Sequence, residues 1–383
     1  METTKIVKAL ATVQDPNTGQ DIITANMVLH LKVEAPDVSF TLQLPKLDAD
    51  YKQQLNFACQ EAILGVYPTA NVHVHMQNPG AAAGATRSGV PHSVGAGQGT
   101  GGPAKADPLP HVRNIIAVAS GKGGVGKSTV AVNLALALQE LGGAVGLLDA
   151  DVYGPSAPTM LGLVGQKPTV EKIYGKPKIK PLFAYGLPVM STGFVVEPEQ
   201  AVVLRGPRLS GIIRQFLEEC VWPPLDYLIV DLPPGTGDVQ LSLVQTVSVT
   251  GAVLVTTPQE VALADAIKAM NMFFLPDVQV PVLGVVENMA WFTPRELPDN
   301  KYYLFGKDGG KALAKKSNSM LLGQIPLVQG IREGGDSGQP AFLNKEDTVT
   351  REAWLKVARN VARQTALRNE MMGATPVVEV KKF

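Results

Sequence analysis

The chain is 383 residues long, which is enough for two or three domains of ordinary size. Hydrophobic residues make up 45% of it and charged residues 18%, a composition typical of a globular protein with a sizeable core and unlike that of a disordered chain. Its 34 basic and 34 acidic residues cancel, so nothing in the charge balance favours binding to nucleic acid or to an acidic membrane surface. We therefore expect no nucleic-acid partner and no membrane partner.

The cysteines and the N-terminal residues indicate a cytoplasmic protein. Cys59 and Cys220 are the only cysteines, and their wide separation in sequence gives no disulfide framework. The first residues contain no apolar signal segment, and no stretch approaches the roughly 18 consecutive apolar residues of a membrane span. A reducing cytoplasm is the expected location.

Residues 1–77 have the pattern of a small α+β domain. Apolar periodicity predicts helices over 4–13 and 48–65 and strands over 27–33, 39–44 and 71–76. Cys59 falls inside the second helix, where we interpret it as a small buried hydrophobic residue. His73 and His75 lie on one face of the last strand without a third ligand nearby, so surface positions are favoured over a metal site.

Residues 78–110 have the composition of a flexible linker. Glycine, alanine, proline and serine dominate this stretch, and such residues cannot bury a core. We therefore expect the domains on either side of it to move independently.

From residue 111 onward, apolar strand patterns alternate with helical ones. The predicted strands are 114–119, 144–149, 227–231, 252–256, 280–287 and 321–325, and the predicted helices are 129–141, 207–219, 239–247, 261–274 and 346–368. This alternation predicts an α/β fold, a doubly wound and mainly parallel sheet over residues 111–370, followed by a tail over 371–383. Ligands of such sheets bind at the carboxyl ends of the strands.

A glycine-rich segment between the first strand and helix of this domain predicts a phosphate-binding loop. It reads Gly121, Lys122, Gly123, Gly124, Val125, Gly126, Lys127, Ser128, Thr129. The spacing is G-x-x-x-x-G-K-[ST], in which backbone N–H groups surround the phosphates and the helix N-terminus adds partial positive charge. Lys127 is expected to reach the β- and γ-phosphates, and the Ser128 hydroxyl to ligate Mg²⁺. The segment therefore predicts a site for ATP and magnesium.

Polar residues at other strand ends complete the predicted site. Asp231 follows an apolar strand and suits magnesium binding, and Gly235 in the next loop can bring its N–H close to the γ-phosphate. Asp149 and Asp151 end a neighbouring strand, where capping of a following helix is the alternative role for either carboxylate. Asn288 follows another strand, and a turn-forming asparagine is the alternative there.

Lys122 makes the loop resemble the deviant Walker A sequence of the MinD/ParA/nitrogenase-iron-protein class. That resemblance implies an ATP-sandwich homodimer in which Lys122 reaches the phosphates of the partner subunit. It also implies that Asp151 activates the attacking water, that Asp149 helps to hold the magnesium shell and that Asn288 binds adenine. A solvated loop lysine is the alternative for Lys122.

Further motifs resemble the Mrp/ApbC family of P-loop ATPases. They lie at residues 149–156, 205–207, 231–238, 256–259 and 286–289, and the N-terminal domain is similar to that of the MIP18 and PaaD proteins. The resemblance implies a magnesium-dependent ATPase and iron–sulfur assembly factor, which carries a [4Fe–4S] cluster at its dimer interface. Its implied partners are apoprotein clients or other iron–sulfur assembly proteins.

The chain departs from this family at the cluster ligands. The family usually has a C-x-x-C after the 286–289 motif, but residues 290–306 contain no cysteine, and neither does the N-terminal loop 44–50. Cys220 is therefore weighed as an iron–sulfur ligand against the alternative of a packed thiol. Aromatic side chains in 290–306 suit a dimer or client interface or a core hairpin equally. The alternative function is an ATP-switched scaffold or positioning protein of the MinD/ParA type without its own cluster.

Overall fold

A computed structural model gives the structure of this chain. It describes residues 2–16, 18–25, 27–44, 49–68, 70–77, 108–173, 175–196, 206–275, 278–294, 296–297, 299–373 and 375. The chain divides into two compact units, Met1–Ala106 and Asp107–Phe383. Most of the predicted linker, and the predicted tail from residue 376, lie outside the described residues.

The N-terminal unit packs two helices on a three-stranded sheet. Its elements are α1 (Thr3–Leu10), β1 (Val28–Glu34), β2 (Asp37–Gln43), α2 (Ala49–Val66) and β3 (Asn71–Gln77). β2 is the middle strand, antiparallel to β1 and parallel to β3. Alternate residues of β2, among them Phe40 and Leu42, are buried in one core with α1 and α2. Cys59 is fully buried in that core, and His73 is exposed.

The second unit is built on an eight-stranded sheet. Its strands are β4 (Ile115–Ala119), β5 (Val145–Asp149), β8 (Leu182–Ala184), β9 (Leu187–Ser191), β10 (Tyr227–Asp231), β11 (Gly251–Thr256), β12 (Val282–Glu287) and β13 (Met320–Gln324). Their order is β13-β12-β11-β4-β10-β5-β9-β8, and only β8 runs antiparallel to its neighbour. The strand order reverses at β4, which is the place where open α/β sheets bind ligands.

Helices cover both faces of this sheet. They are α3 (Lys127–Glu140), α4 (Ala157–Met160), α5 (Gly206–Glu218), α6 (Asp238–Thr246), α7 (Glu260–Phe273), α8 (Gly309–Lys316), α9 (Gln329–Ser337) and α10 (Thr348–Met371). Strand β4 shows why both faces are apolar, because its residues alternate between two cores. Ile115 and Ala117 pack with α5 to α8, whereas Ile116 and Val118 pack with α3 and α10.

The structure confirms the predicted α/β class and the mainly parallel sheet, and it adds elements that the sequence patterns did not predict. The additions are the short hairpin of β6 (Val170–Ile173) and β7 (Lys176–Ile179), strands β8 and β9, and helices α4, α8 and α9. Most are three to five residues long, too short for a hydrophobic period to stand out. None of the described helices is long and apolar enough to cross a membrane.

Candidate nucleotide-binding site

The glycine loop lies between β4 and α3, at the carboxyl edge of the sheet where the strand order reverses. Gly124 and Gly126 have φ angles of +81° and +80°, values that glycine adopts without the strain that a side chain would introduce. Helix α3 begins at Lys127, directly after the second of these glycines. The loop therefore ends on a helix N-terminus, where free N–H groups and the helix dipole favour a phosphate.

Neighbouring atoms leave no room for a side chain at two glycines of the loop. A Cβ atom on Gly121 would lie 2.0 Å from the carbonyl carbon of Asp265 in α7, and a Cβ on Gly126 would lie 2.2 Å from the Nδ2 atom of Asn288. The Asn288 side chain in turn donates to the carbonyl of Val125 at 2.9 Å. The loop is thus packed between α7 and the end of β12, which fixes its shape before any ligand binds.

We expect Gly121→Ala to destabilise the protein by roughly 3 kcal/mol, because the new methyl group meets helix backbone that cannot rotate away. Gly123→Ala is the matched control, since a Cβ there meets nothing within 4 Å. Denaturant unfolding of both variants measures the difference. Equal unfolding free energies for the two variants would contradict the packing of Gly121 on α7.

Lys127 lies among carboxylates. Its Nζ atom is 2.6 Å from Oδ1 of Asp231 and 3.5 Å from Oδ2 of Asp151, and its side chain is only 6% exposed. Burial lowers the pKa of Lys127, but Asp231, Asp151 and Asp149 outweigh burial, so the net direction is upward. Lys127 is therefore held charged at the mouth of the loop, where a γ-phosphate would compete with the aspartates for it.

Asp149 is engaged by the protein itself. Its Oδ1 accepts from the N–H of Asp151 at 3.1 Å, and its Oδ2 accepts from the Ala157 N–H at 3.1 Å and from the Ser191 hydroxyl at 3.0 Å. Burial raises the pKa of Asp149, and the charge of Asp231 raises it further. These contacts support the helix-capping alternative, because Ala157 begins α4. The expected place of Asp149 in the magnesium shell stays a prediction.

The residues at the Lys127 end of the cluster fit a divalent cation. Asp231, Asp151 and Asp149 all act on the Lys127 ammonium, so carboxyl oxygens are concentrated there. The Oδ2 atom of Asp231 is buried and has no hydrogen-bond partner among the described residues. The Ser128 hydroxyl lies 3.3 Å from the Lys127 ammonium. Magnesium bound beside nucleotide phosphates uses one or two carboxylates and a hydroxyl, and Asp231 and Ser128 provide that donor set.

The Gly235 N–H does not point to an open phosphate position in this structure. It donates to the carbonyl of Ser120 at 2.8 Å, with Gly235 at a φ of +89°. To meet a γ-phosphate, as the sequence predicts, this N–H must first leave Ser120. The loop after β10 therefore needs a second arrangement if it senses ATP.

A cavity of about 700 Å³ extends from the glycine loop towards α9. Asn288 and Met289 line one part of it, close to Pro326 and Leu327 after β13, and Ile331 of α9 adds an apolar wall. A slot with apolar walls and an amide side chain suits a flat purine base. The predicted adenine residue therefore lies in the same cavity as the predicted phosphate loop. The contribution of α9 had no motif by which the sequence could reveal it.

Lys122 is exposed at the rim of this cavity. Among the described residues it makes no ion pair, whereas the second lysine of the same loop is buried against Asp231. The Lys122 backbone carbonyl accepts from the Ser120 hydroxyl at 3.0 Å, which fixes the backbone but not the ammonium group. The reach of Lys122 to a partner subunit's phosphates, which the resemblance to the MinD/ParA class implies, stays a prediction.

Cys220 lies in the core and not at the nucleotide cavity. It is 7% exposed and pairs as an isolated bridge with Ile179. Burial raises the pKa of the Cys220 thiol to about 12 and that of Cys59 to about 12. Iron–sulfur clusters are bound by thiolates, so these environments favour the packed-thiol alternative for both residues. Within the described ranges, no three or more His, Cys, Asp or Glu side chains together form a metal-binding group, and the magnesium donor set named above contains only one such side chain, Asp231.

The segment that replaces the C-x-x-C is a surface hairpin. Phe292 and Tyr302 exchange backbone hydrogen bonds of 2.8 Å, and Tyr302 and Tyr303 remain 42% and 38% exposed. Lys301 lies 4.2 Å from the centroid of the Trp291 ring. This exposure argues against a core hairpin, and a dimer or client interface at this segment stays a prediction.

Comparisons with known proteins agree with this geometry. The family described as NUBPL iron-transfer P-loop NTPase matches residues 111–362, and one described as iron-sulfur cluster assembly protein matches residues 3–76. An iron-sulfur cluster carrier protein of Synechocystis is 42% identical over 369 residues, which cover 96% of this chain and 99% of the relative. The mouse iron-sulfur cluster transfer protein NUBPL is 46% identical over 262 residues, which cover 68% of this chain and 80% of the relative.

A solved structure is similar to this chain in its fold. The nucleotide-binding protein of Archaeoglobus fulgidus in complex with ADP is 36% identical and has a TM-score of 0.54, over 64% of this chain and 92% of that protein. The first family match alone spans more than half of the chain. The chain therefore belongs to the NUBPL-type iron-transfer P-loop NTPases, as its resemblance to the Mrp/ApbC ATPases predicts, and it carries an iron–sulfur cluster assembly domain before the NTPase domain.

Proposed function

We propose that this protein binds and hydrolyses ATP as a homodimer and that it transfers iron–sulfur clusters to apoproteins. The observation that carries the proposal is the buried contact of Lys127 with Asp231 and Asp151 at the end of a phosphate-binding loop. Family membership and the names of the relatives, which are iron–sulfur cluster carrier and transfer proteins, support the choice of cargo. Two unpaired cysteines are consistent with work in a reducing cytoplasm.

The chain's own residues account for nucleotide binding. N–H groups of the 121–129 loop surround the phosphates, and Lys127 leaves the aspartates to pair with the β- and γ-phosphate oxygens. Asn288 and the apolar wall beside it hold the base. Ser128 and Asp231 would hold Mg²⁺, and the contacts of Asp149 with Asp151, Ala157 and Ser191 fix the strand end beside them. When bound, the metal neutralises charge that develops on the phosphate oxygens.

Hydrolysis depends on a water molecule beside the γ-phosphate. Asp151 is 8% exposed and lines the cavity, and its Oδ1 accepts from the Gly154 N–H at 3.3 Å. We assign it to orienting that water, because a carboxylate within reach of the γ-phosphate accepts a proton as the water attacks. Two subunits close face to face, and each Lys122 stabilises the charge that forms on the partner's phosphates.

The iron–sulfur cluster is the cargo of this function, and the described residues of one subunit offer no thiolate site for it. Both thiols are buried, and the family's C-x-x-C is absent from residues 290–306. These two observations favour the second candidate function, an ATP-switched scaffold that assists cluster assembly without holding a cluster of its own. The exposed hairpin around Tyr302 is the surface through which either function would contact a partner.

Anaerobic reconstitution with iron and sulfide, followed by transfer to an apo-ferredoxin, tests the proposal. We expect transfer that requires ATP in the wild type, that persists in Cys220→Ala and that is lost in Lys127→Ala. Native Cys220 should also resist thiol reagents between pH 7 and 9, because a thiol with a pKa of about 12 stays protonated there. Failure of the wild type to acquire or transfer a cluster would remove the carrier function and leave the scaffold.

A further inference from the structure

The side chain of Gln240 in α6 forms two hydrogen bonds with the loop that follows β10. The residue is 1% exposed, and its Nε2 donates to the carbonyl of Pro233 at 2.8 Å and to that of Gly235 at 3.1 Å. One side-chain amide therefore satisfies two carbonyls of a loop that contains no backbone ladder of its own. Two such buried hydrogen bonds restrict the movement of the loop.

The same loop is held from the opposite side by the glycine loop. Because the Gly235 N–H donates to Ser120, Gly235 has both its N–H and its carbonyl engaged. The Ser120 contact ends when the N–H turns to a γ-phosphate. The Gln240 contact is then the remaining restraint on the loop.

Gln240 also carries an acceptor that this arrangement leaves unused. Its Oε1 atom is buried without a hydrogen-bond partner in the described part of the chain. A Cβ atom on Gly237 would lie only 3.4 Å from that oxygen, so Oε1 lies beside the loop's own backbone. Buried acceptors without a donor are uncommon and unfavourable. Among the described residues, Gln240 therefore holds the loop through Nε2 alone.

Room for a second arrangement is present next to the loop. A cavity of about 450 Å³ is lined by Asp151, Tyr153, Pro233, Pro234, Gly237 and Gln240. It borders the carboxylate that we assign to the attacking water. A shift of the loop into this space would change the surroundings of Asp151.

We propose that Gln240 is a positioning residue that latches the 232–237 loop with Gly235 turned to Ser120. Binding of a γ-phosphate draws the Gly235 N–H away from Ser120, and the movement of Gly235 breaks the hydrogen bond from Nε2 to its carbonyl. Gln240 thus sets how strongly the site distinguishes ATP from ADP. This inference rests on the proposed ATP-binding function of the same site.

Gln240→Met tests the latch, because methionine has the same length and no donor. We expect the ratio of affinity for a non-hydrolysable ATP analogue to affinity for ADP to rise about fivefold, the equivalent of one ordinary hydrogen bond no longer lost on loop movement. ADP lacks the γ-phosphate, so its own affinity should change little. Isothermal titration calorimetry of the full chain with each nucleotide measures both values.

Gln245→Met is the matched control, since Gln245 lies on the same helix, whereas the side-chain hydrogen bonds from this helix to the loop, among the described residues, come from Gln240. Gln240→Asn, which keeps the amide but is one methylene shorter, should give an intermediate ratio and covers the case in which the methionine variant does not fold. An unchanged ratio in both Gln240 variants, or equal losses for both nucleotides, would overturn the latch. A wild type that binds no ATP analogue would instead refute the proposed function.

Discussion

Lys127→Ala is expected to abolish ATP binding and to destabilise the protein at the same time. The β- and γ-phosphates lose their ammonium partner in this variant. Because removing one partner of a buried charged contact costs several kcal/mol, the affinity for ATP should fall at least about 100-fold. The loss of the ammonium also leaves Asp231, Asp151 and Asp149 without the cation that their burial requires. We expect the free energy of unfolding to fall by roughly 3–5 kcal/mol near neutral pH.

The loss of unfolding free energy in Lys127→Ala should depend on pH. Burial already raises the pKa of Asp149 in the wild type. Loss of the Lys127 charge should raise the pKa values of the buried carboxyl groups further. A carboxyl group whose pKa is raised by folding contributes stability below its unfolded pKa, and that contribution disappears as the pH rises through the folded value. The difference between wild type and Lys127→Ala should therefore be larger at pH 8 than at pH 5. Urea unfolding at both pH values measures it.

The double variant Lys127→Ala/Asp231→Asn separates the two roles of the lysine. Removing Asp231's charge takes away the repulsion that the single variant creates, so most of the lost stability should return. ATP binding should not return, because the phosphates still lack their ammonium. Recovery of neither property, or recovery of both, would contradict the assignment of Lys127 as the counter-ion of this cluster and the phosphate ligand.

Short-range sequence patterns predicted the parts of this site that local chemistry determines. The glycine loop, the strand before it and the helix after it form a continuous motif. Asp149 and Asp231 each end a strongly apolar strand, and Asp151 lies two residues after the first of these strands. Parallel strands bring their carboxyl ends to one edge, so the meeting of Lys127 with Asp231, 104 residues away, follows from the topology. The loop was predicted from its motif and its flanks and the meeting of the strand ends from chain direction, whereas the individual roles of Asp149 and Asp151 came from the family resemblance.

No sequence pattern predicted the contacts that depend on tertiary packing. Asp149 accepts from Ser191, 42 residues away, and no pattern in the intervening stretch predicts the strand that brings Ser191 there. Gln240 is one glutamine among several, and only its burial against the Pro233 and Gly235 carbonyls distinguishes it. The burial of Cys220, which raises the pKa of its thiol and favours the packed-thiol interpretation, also had no signal in the sequence. Side-chain environments of this kind require the fold itself.

Lys122→Ala is expected to separate hydrolysis from binding. Lys122 is exposed and makes no ion pair among the described residues, so the variant should keep the unfolding free energy and nearly all of the ATP affinity of the wild type. The turnover rate should fall roughly 10²- to 10³-fold, the usual loss when one donor to transition-state charge is removed. Lys311→Ala, at another exposed lysine of the same unit, serves as the control in a phosphate-release assay. An unchanged rate in Lys122→Ala would count against the sandwich dimer.

A mixture of two inactive variants decides whether Lys122 acts on its own subunit or on the partner. Lys122→Ala and Asp151→Asn subunits both retain Lys127 and the glycine loop, so both should bind ATP and pair. If Lys122 serves the partner's phosphates, each mixed dimer has one site with an intact Asp151 and a Lys122 from across the interface. Mixing should then restore about a quarter of the wild-type rate, because random pairing makes about half of the dimers mixed and one of two sites complete. If Lys122 serves its own site, every site in the mixture lacks one of the two groups, and the rate stays at the level of the separate variants.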